Sequence, residues 1–226
     1  PVFVSCSGSN SSPRSLASLS LVWGSSRQEL TMCQALVQTE VGAMNTIIDQ
    51  FRVDCGIWIG PTTSAENEAA VQPAICQYNQ TCLVITYDHT GELRVAVSRF
   101  GWAGDQTSTM YETVQNSPKT QTLWADTRRR CLVPVKAFLV DGVRFSFQDN
   151  KNLDPSDQRF HYLAGLRDEN NRFVVLSSAA KETVAPFSRR QPLFIPAEFA
   201  LEYLGTQGLS FFDLDHIMTY QVPLTA

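Results

Sequence analysis

The stretch Arg128-Arg-Arg-Cys-Leu-Val-Pro-Val-Lys-Ala-Phe-Leu-Val-Asp-Gly-Val-Arg-Phe-Ser-Phe147 decides how the chain folds. Asp141-Gly142 is a favoured two-residue hairpin turn, because Gly tolerates the positive φ that a type I′ turn needs. The arm entering it is an almost unbroken apolar run, the pattern of a strand buried on both faces. The arm leaving it, Val143 to Phe147, alternates apolar and polar residues, as a half-buried strand does. Arg128, Arg129 and Arg130 stand just before the entering arm. They read either as a solvated strand end or as part of an anion-binding patch.

Further hairpins flank this one. Cys82–Asp88 and Leu93–Phe100 read as strands around His89-Thr-Gly-Glu92, and Phe160–Leu166 and Arg172–Ser177 as strands around Glu169-Asn-Asn171. Cys33–Gln38 reads as a first strand. Thr39 caps a helix on which Val41, Met44, Ile47, Ile48 and Phe51 share a face. Cys55–Gly60 reads as a short strand. Pro61–Ala74, Gly101–Lys119 and Lys151–Gln158 read as polar loops, the second with a helical turn at Met110–Val114. Ser178 caps a short helix through Val184 that Pro186 stops. Leu193–Ile195 is a brief strand, Pro196 opens a helix ended by Gly205, and Ile217–Pro223 is a last strand. The sum is an α+β fold: one β-rich, mostly antiparallel domain with a few peripheral helices.

The chain has 226 residues, 43% apolar and 18% charged, with a net charge of −4. That length can bury a substantial core in one domain. The acidic balance excludes a surface coated in positive charge and leaves room for a local basic groove. No apolar run reaches the roughly 18 residues of a membrane span. Six cysteines, at 6, 33, 55, 76, 82 and 131, show no Cys-x-x-Cys pair and no nearby paired histidines. This spacing predicts no metal site, and no cofactor is suggested. A core of this size needs no disulfides, so the cysteines read as buried thiols in a reducing cytoplasm. His89, His161 and His216 are scattered and read as structural or exposed. Residues 1–31 contain ten serines and form either a disordered N-terminal arm or an upstream extension, with organised sequence starting at Met32-Cys33. Residues 32–226 form the domain.

Several short motifs come in a fixed order: Met32-Cys33, Phe100-Gly-Trp102, Glu112-Thr113, Arg130-Cys-Leu-Val-Pro-Val-Lys-Ala-Phe138, Tyr162-Leu-Ala-Gly-Leu166, Phe173-Val-Val-Leu-Ser-Ser-Ala-Ala180, Val184-Ala-Pro186 and Arg190-Gln-Pro-Leu193. In this the chain resembles the SRAP (SOS response-associated peptidase) family over about residues 32–205. The resemblance implies a protein of the DNA damage response that binds single-stranded DNA with abasic sites. After loss of the initiator methionine by autoproteolytic, peptidase-type processing, its N-terminal cysteine closes a thiazolidine on the abasic aldehyde. Cys33 matches that nucleophile.

Other family positions are replaced. Ser108 stands for an asparagine, Val140 for the acid/base glutamate and Ser188 for a histidine. Met110 and Ala35 stand for arginines. Asp141, next to Val140, offers a carboxylate, but the turn explains it better. Valine cannot shuttle a proton and serine is a poor base near neutral pH. Two functions therefore stand side by side. One is a crosslinker of abasic sites through Cys33. The other is a catalytically inactive relative that binds DNA or a protein partner. Arg128, Arg129, Arg130, Arg189 and Arg190 are the expected nucleic-acid-binding surface.

Overall fold

The computed structural model describes residues 33–38, 43–62, 75–103, 110–111, 118–154, 158–205 and 224–226. The expectations for the serine-rich arm, for Thr39 as a cap, for Ser108 and Glu112-Thr113, for His216 and for a strand at 217–223 lie outside those residues. In chain order the elements are β1 (Cys33–Val37), α1 (Ala43–Cys55), β2 (Gly60–Pro61), β3 (Ile75–Gln77), β4 (Thr81–Tyr87), β5 (Leu93–Phe100), β6 (Met110–Tyr111), α2 (Pro118–Ala125), β7 (Arg130–Val135), β8 (Ala137–Val140), β9 (Val143–Phe147), β10 (His161–Arg167), β11 (Arg172–Ala179), β12 (Arg190–Pro192), β13 (Phe194–Ile195), α3 (Ala200–Leu204) and β14 (Leu224–Thr225). The fold is β-rich α+β, and most strand pairs are antiparallel.

The entering arm of the central hairpin is two strands in two sheets. β7 pairs with β4 and β10, whereas β8 pairs with β9 and β1. The break falls at Lys136, whose backbone N–H donates to Val37 O at 2.8 Å. The turn itself is as expected: Asp141 and Gly142 have φ of 51° and 75°, both positive as a type I′ turn requires. The smaller sheet runs β14-β9-β8-β1-β3. The larger runs β12-β11-β10-β7-β4-β5-β2, and β11 also pairs in parallel with β5, so this sheet rolls up on itself.

Period-two alternation explains why its strands read as continuous apolar runs. On one face Cys82, Val84, Cys131, Val133, Leu163, Phe173 and Val175 join Leu36, Phe138, Val140 and Phe145 of the small sheet in a core between the sheets. On the other face Leu83, Ile85, Leu132, Ala164, Val174 and Leu176 pack on Ile47, Ile48 and Phe51 of α1, Trp124 of α2 and Tyr203 of α3. The result is sheet on sheet on helices. Gly165 lies where the layers are tightest: a Cβ there would sit 2.7 Å from Cys131 Sγ and 3.2 Å from Val133 Cγ2.

Several elements differ from the sequence reading. Helix α1 continues through Cys55, because Cys55 extends the Phe51 face, and Gly56 stops it with φ of 71°. The strand expected at Cys55–Gly60 shrinks to β2. Met110–Tyr111 is a strand paired in parallel with Val175–Leu176, not a helical turn. Ser178 pairs with Gln191 inside β11, and the residues after it form turns, not a helix. The expected all-thiol chemistry is also corrected: Cys76 and Cys82 form a disulfide that joins β3 of the small sheet to β4 of the large one.

Candidate functional site

The site suggested by the sequence begins on β1. Across the β1–β8 ladder Cys33 pairs with Val140, with a bulge between Cys33 and Ala35. Two positions more than a hundred residues apart are thus direct neighbours. Three devices hold β1 there. β3 pairs along its far edge, from Ala35↔Gln77 to Val37↔Ile75. The Cys76–Cys82 bridge fixes β3 to the large sheet. Gln38 bolts the two sheets together, its amide N–H donating to Leu83 O at 2.7 Å and to Pro134 O at 2.9 Å while its Oε1 accepts from Leu83 N at 2.8 Å. A lone glutamine and a six-residue cysteine spacing gave no sequence signal for these roles.

Val140 is fully buried in the inter-sheet core. Ser188 is nearly buried at the end of the turns after β11; its Oγ accepts from Arg190 N at 3.1 Å, and its N–H donates to the carbonyl of Val184, a member of the same core. Phe187 beside it packs edge-on against Phe145 of β9. Met110 enters the same region through the pairing of β6 with β11. The backbones of Cys33 and Met110 are thus paired with two members of that core, Val140 and Val175, and Ser188 is hydrogen-bonded to a third, Val184, while Ser108 lies outside the described residues. Asp141 is occupied as the first residue of the turn.

The expected arginine surface divides. Arg130 leaves it: 5% exposed, it donates from Nε to Trp124 O at 3.1 Å and from Nη1 to Tyr203 O at 3.2 Å, and its guanidinium lies 4.1 Å from the centre of the Trp124 ring. Burial lowers its pKa, as removal from water disfavours the charged form. Arg190 turns back onto β11, donating to Ser177 O at 2.7 Å and Ser177 Oγ at 2.8 Å. Arg129 is tied to Glu169 at 2.9 Å and Asp126 at 3.4 Å. Arg128 and Arg189 present exposed side chains. The two groups are also separated. Arg130 is in register with Leu166, and Leu166 with Val174, whereas Arg190 pairs with Ala179. Five residues along β11 is about 17 Å, so the arginines do not form one patch.

Neither Cys55 nor Cys131 is poised as a thiolate. Burial pushes Cys131 up to about 12, and burial with the Asp54 charge does the same to Cys55. His161 stacks on Phe147 at 3.6 Å and sits 3.1 Å from Asp149; burial lowers its pKa. Among the described residues no group of three His, Cys, Asp or Glu is placed to hold a metal, and no helix is long and apolar enough to cross a membrane.

No family model matches the chain, and no curated protein matches it. Solved structures do. A protein from Bordetella bronchiseptica is similar over 86% of this chain and 100% of its own, at 12% identity and a TM-score of 0.55. A protein from Bacteroides thetaiotaomicron is similar over 82% of this chain and 86% of its own, at 12% identity and a TM-score of 0.55. At that identity the likeness is one of fold.

Proposed function

We propose that the chain is a divergent SRAP-type domain that engages single-stranded DNA at the Cys33–Val140 end of the β1–β8 ladder and links to abasic sites when Cys33 is its first residue. The observation that carries this is the register of Cys33 with Val140. Separate motifs matched those positions to a nucleophile and an acid/base residue, and catalysis needs such a pair adjacent. The step requires only the groups of an N-terminal cysteine. Its amine condenses with the aldehyde and releases water as the imine forms. The thiol then adds sulfur to the imine carbon and its proton goes to nitrogen, closing a five-membered thiazolidine. Thiol and amine both ionise within about 1.5 units of neutral pH, so the chemistry proceeds slowly without the carboxylate that Val140 replaces. With residues 1–32 attached the amine is an amide, and the domain only binds. A cytoplasmic setting belongs to the same proposal; there the Cys76–Cys82 bridge meets a reducing milieu.

The test compares the full chain with one beginning at Cys33. Each is incubated with single-stranded DNA bearing one abasic site and separated on a denaturing gel. A heat-stable shifted band only with the Cys33 start is the expected result. No band from either chain, beside a working positive control, removes the crosslinking reading. Retained binding in a native gel would then leave the inactive, DNA-binding relative.

A further inference from the structure

The bridge between Cys76 and Cys82 sits at a corner of the fold. β3 pairs with β1 in the small sheet, whereas β4, one turn away, pairs with β5 and β7 in the large one. That turn is pinned to the end of β5. Gln80 N donates to Gln77 O at 3.0 Å, Asn79 N to Phe100 O and Phe100 N to Gln80 O, both at 2.8 Å. Tyr78 Oη donates to Trp102 O at 2.8 Å. β3 itself has little else. It is an edge strand of three residues that alternate exposed, buried, exposed, so Cys76 is its one buried side chain. Ile75 before it is 43% exposed. Cys76 is thus both the core residue of this strand and its tether.

The neighbouring strand does not depend on β3. β1 is paired with β8 from Cys33↔Val140 to Val37↔Ala137. Val37 O accepts from Lys136 N, and Gln38 reaches Leu83 and Pro134. Lifting β3 away therefore requires no other strand to move. Edge segments with few buried side chains are where local opening is cheapest. Closure is equally local. The cysteines are six residues apart in sequence and their Cα atoms lie 6.1 Å apart, within the span a bridge requires, and the pinned turn between them keeps the ends close.

We propose that Cys76 and Cys82 form a redox latch on the strand that carries Cys33. Bridged, they clamp β3 onto β1, which is then held on both sides. Reduced, β3 swings off about Tyr78 and leaves β1 paired with β8 alone, its outer edge open. The reductant is an external dithiol, since neither Cys55 nor Cys131 is poised as a thiolate. A thiolate of the dithiol attacks one sulfur of the bridge. The S–S bond breaks, a mixed disulfide forms and the other cysteine leaves as a thiolate. The second thiolate of the dithiol then displaces the first cysteine. Two electrons pass to the bridge, the dithiol ends as a disulfide, and the two cysteine thiolates take up the protons that the dithiol lost. Both cysteines are fully buried, so attack requires β3 to lift, and reduction makes that same motion persist. What the latch does for Cys33 chemistry rests on the reading above; the latch itself does not.

The experiment is hydrogen exchange read by mass spectrometry on the full chain, oxidised and after dithiothreitol, with iodoacetamide alkylation of the reduced protein under native conditions. Exchange at residues 33–38 and 75–77 should rise on reduction by about tenfold more than any rise in β7 and β10, because releasing even a short bridge is worth more than one factor of ten in opening. Cys76 should be alkylated about tenfold faster than Cys131, whose burial in β7 the latch does not change. A Cys76→Ala, Cys82→Ala chain should show the fast local exchange with and without dithiothreitol. If that variant does not fold, the wild-type comparison decides alone. The latch is overturned if every region speeds up by one shared factor, which makes the bridge a general staple. It is also overturned if residues 33–38 do not respond, if Cys76 reacts no faster than Cys131, or if the folded variant exchanges as slowly as the bridged wild type. No DNA enters these measurements. Their failure leaves the DNA reading standing, and a chain that binds no DNA can still show the latch.

Discussion

Replacing Arg130 separates a buried structural cation from a DNA-binding one. In Arg130→Ala the carbonyls of Trp124 and Tyr203 lose their donor, at about 1–1.5 kcal/mol each for bonds this long. Loss of the contact with the Trp124 ring costs about 1 kcal/mol. Removing the buried stem costs about 0.8 kcal/mol per methylene. Against these, deleting a desolvated charge returns a few kcal/mol. The net is a loss of about 3 kcal/mol, which for a chain of this length lowers Tm by about 6–12 °C. Arg130→Met keeps the stem and should lose about half as much. The assay is urea unfolding with single-strand binding measured in parallel at a temperature where every variant is folded. Expected are reduced stability with binding unchanged for Arg130→Ala, and unchanged stability for the exposed Arg128→Ala. An Arg130→Ala protein with wild-type Tm and weakened DNA binding would refute the buried assignment.

Gly165→Ala should cost about 1–3 kcal/mol by overpacking against Cys131 Sγ, and adding Cys131→Ala should recover part of it, measured as a non-additive double-mutant cycle in urea. Reducing the Cys76–Cys82 bridge, which spans a separation of six residues, should lower stability by about 2 kcal/mol on loop-closure grounds; a Cys76→Ala, Cys82→Ala chain should not respond to reductant, and an equal response in both would place the effect elsewhere. His161 is held neutral by burial, with its pKa below the ordinary 6.5. The unfolded chain therefore binds the proton first, and stability falls as pH drops below about 6.5 toward the lowered folded value. His161→Gln should flatten that slope, and an unchanged slope would assign it to another group.

The parts legible in the sequence are those set by short-range chemistry. The Asp141-Gly142 turn follows from the φ each residue tolerates, and the two-faced apolar runs of β4, β5 and β11 from a period of two. What sequence missed depends on tertiary context. Lys136 marks a change of sheet, and nothing local distinguishes it from any lysine at the edge of an apolar run. Ser178 has the chemistry of a helix cap, yet pairing with Gln191 satisfies its backbone inside a strand. Arg130 looks like its neighbours in sequence, but it alone starts a strand packed under α2 and α3, so the same charge is buried at one position and solvated two residues earlier. Candidate-site positions could be matched by motif, but the ladder that sets Cys33 opposite Val140 exists only in three dimensions.

Under the proposed reading, the replacements at 140 and 188 are one event rather than two. Position 140 is sealed in the inter-sheet core, where a carboxylate survives only with hydrogen-bond or charge partners. The segment carrying Ser188 borders the same core through Val184. Once an imidazole at 188 is gone, an unpaired glutamate at 140 costs several kcal/mol in its ionised form, and valine, a strand former that fills the same core, removes that cost. Thus Val140→Glu alone should destabilise the domain without restoring a working acid/base group, because the low-polarity core raises its pKa and leaves it neutral. Restoring histidine at 188 in the same chain should recover part of that stability. The direction of the coupling distinguishes a site that decayed as a unit from two independent substitutions.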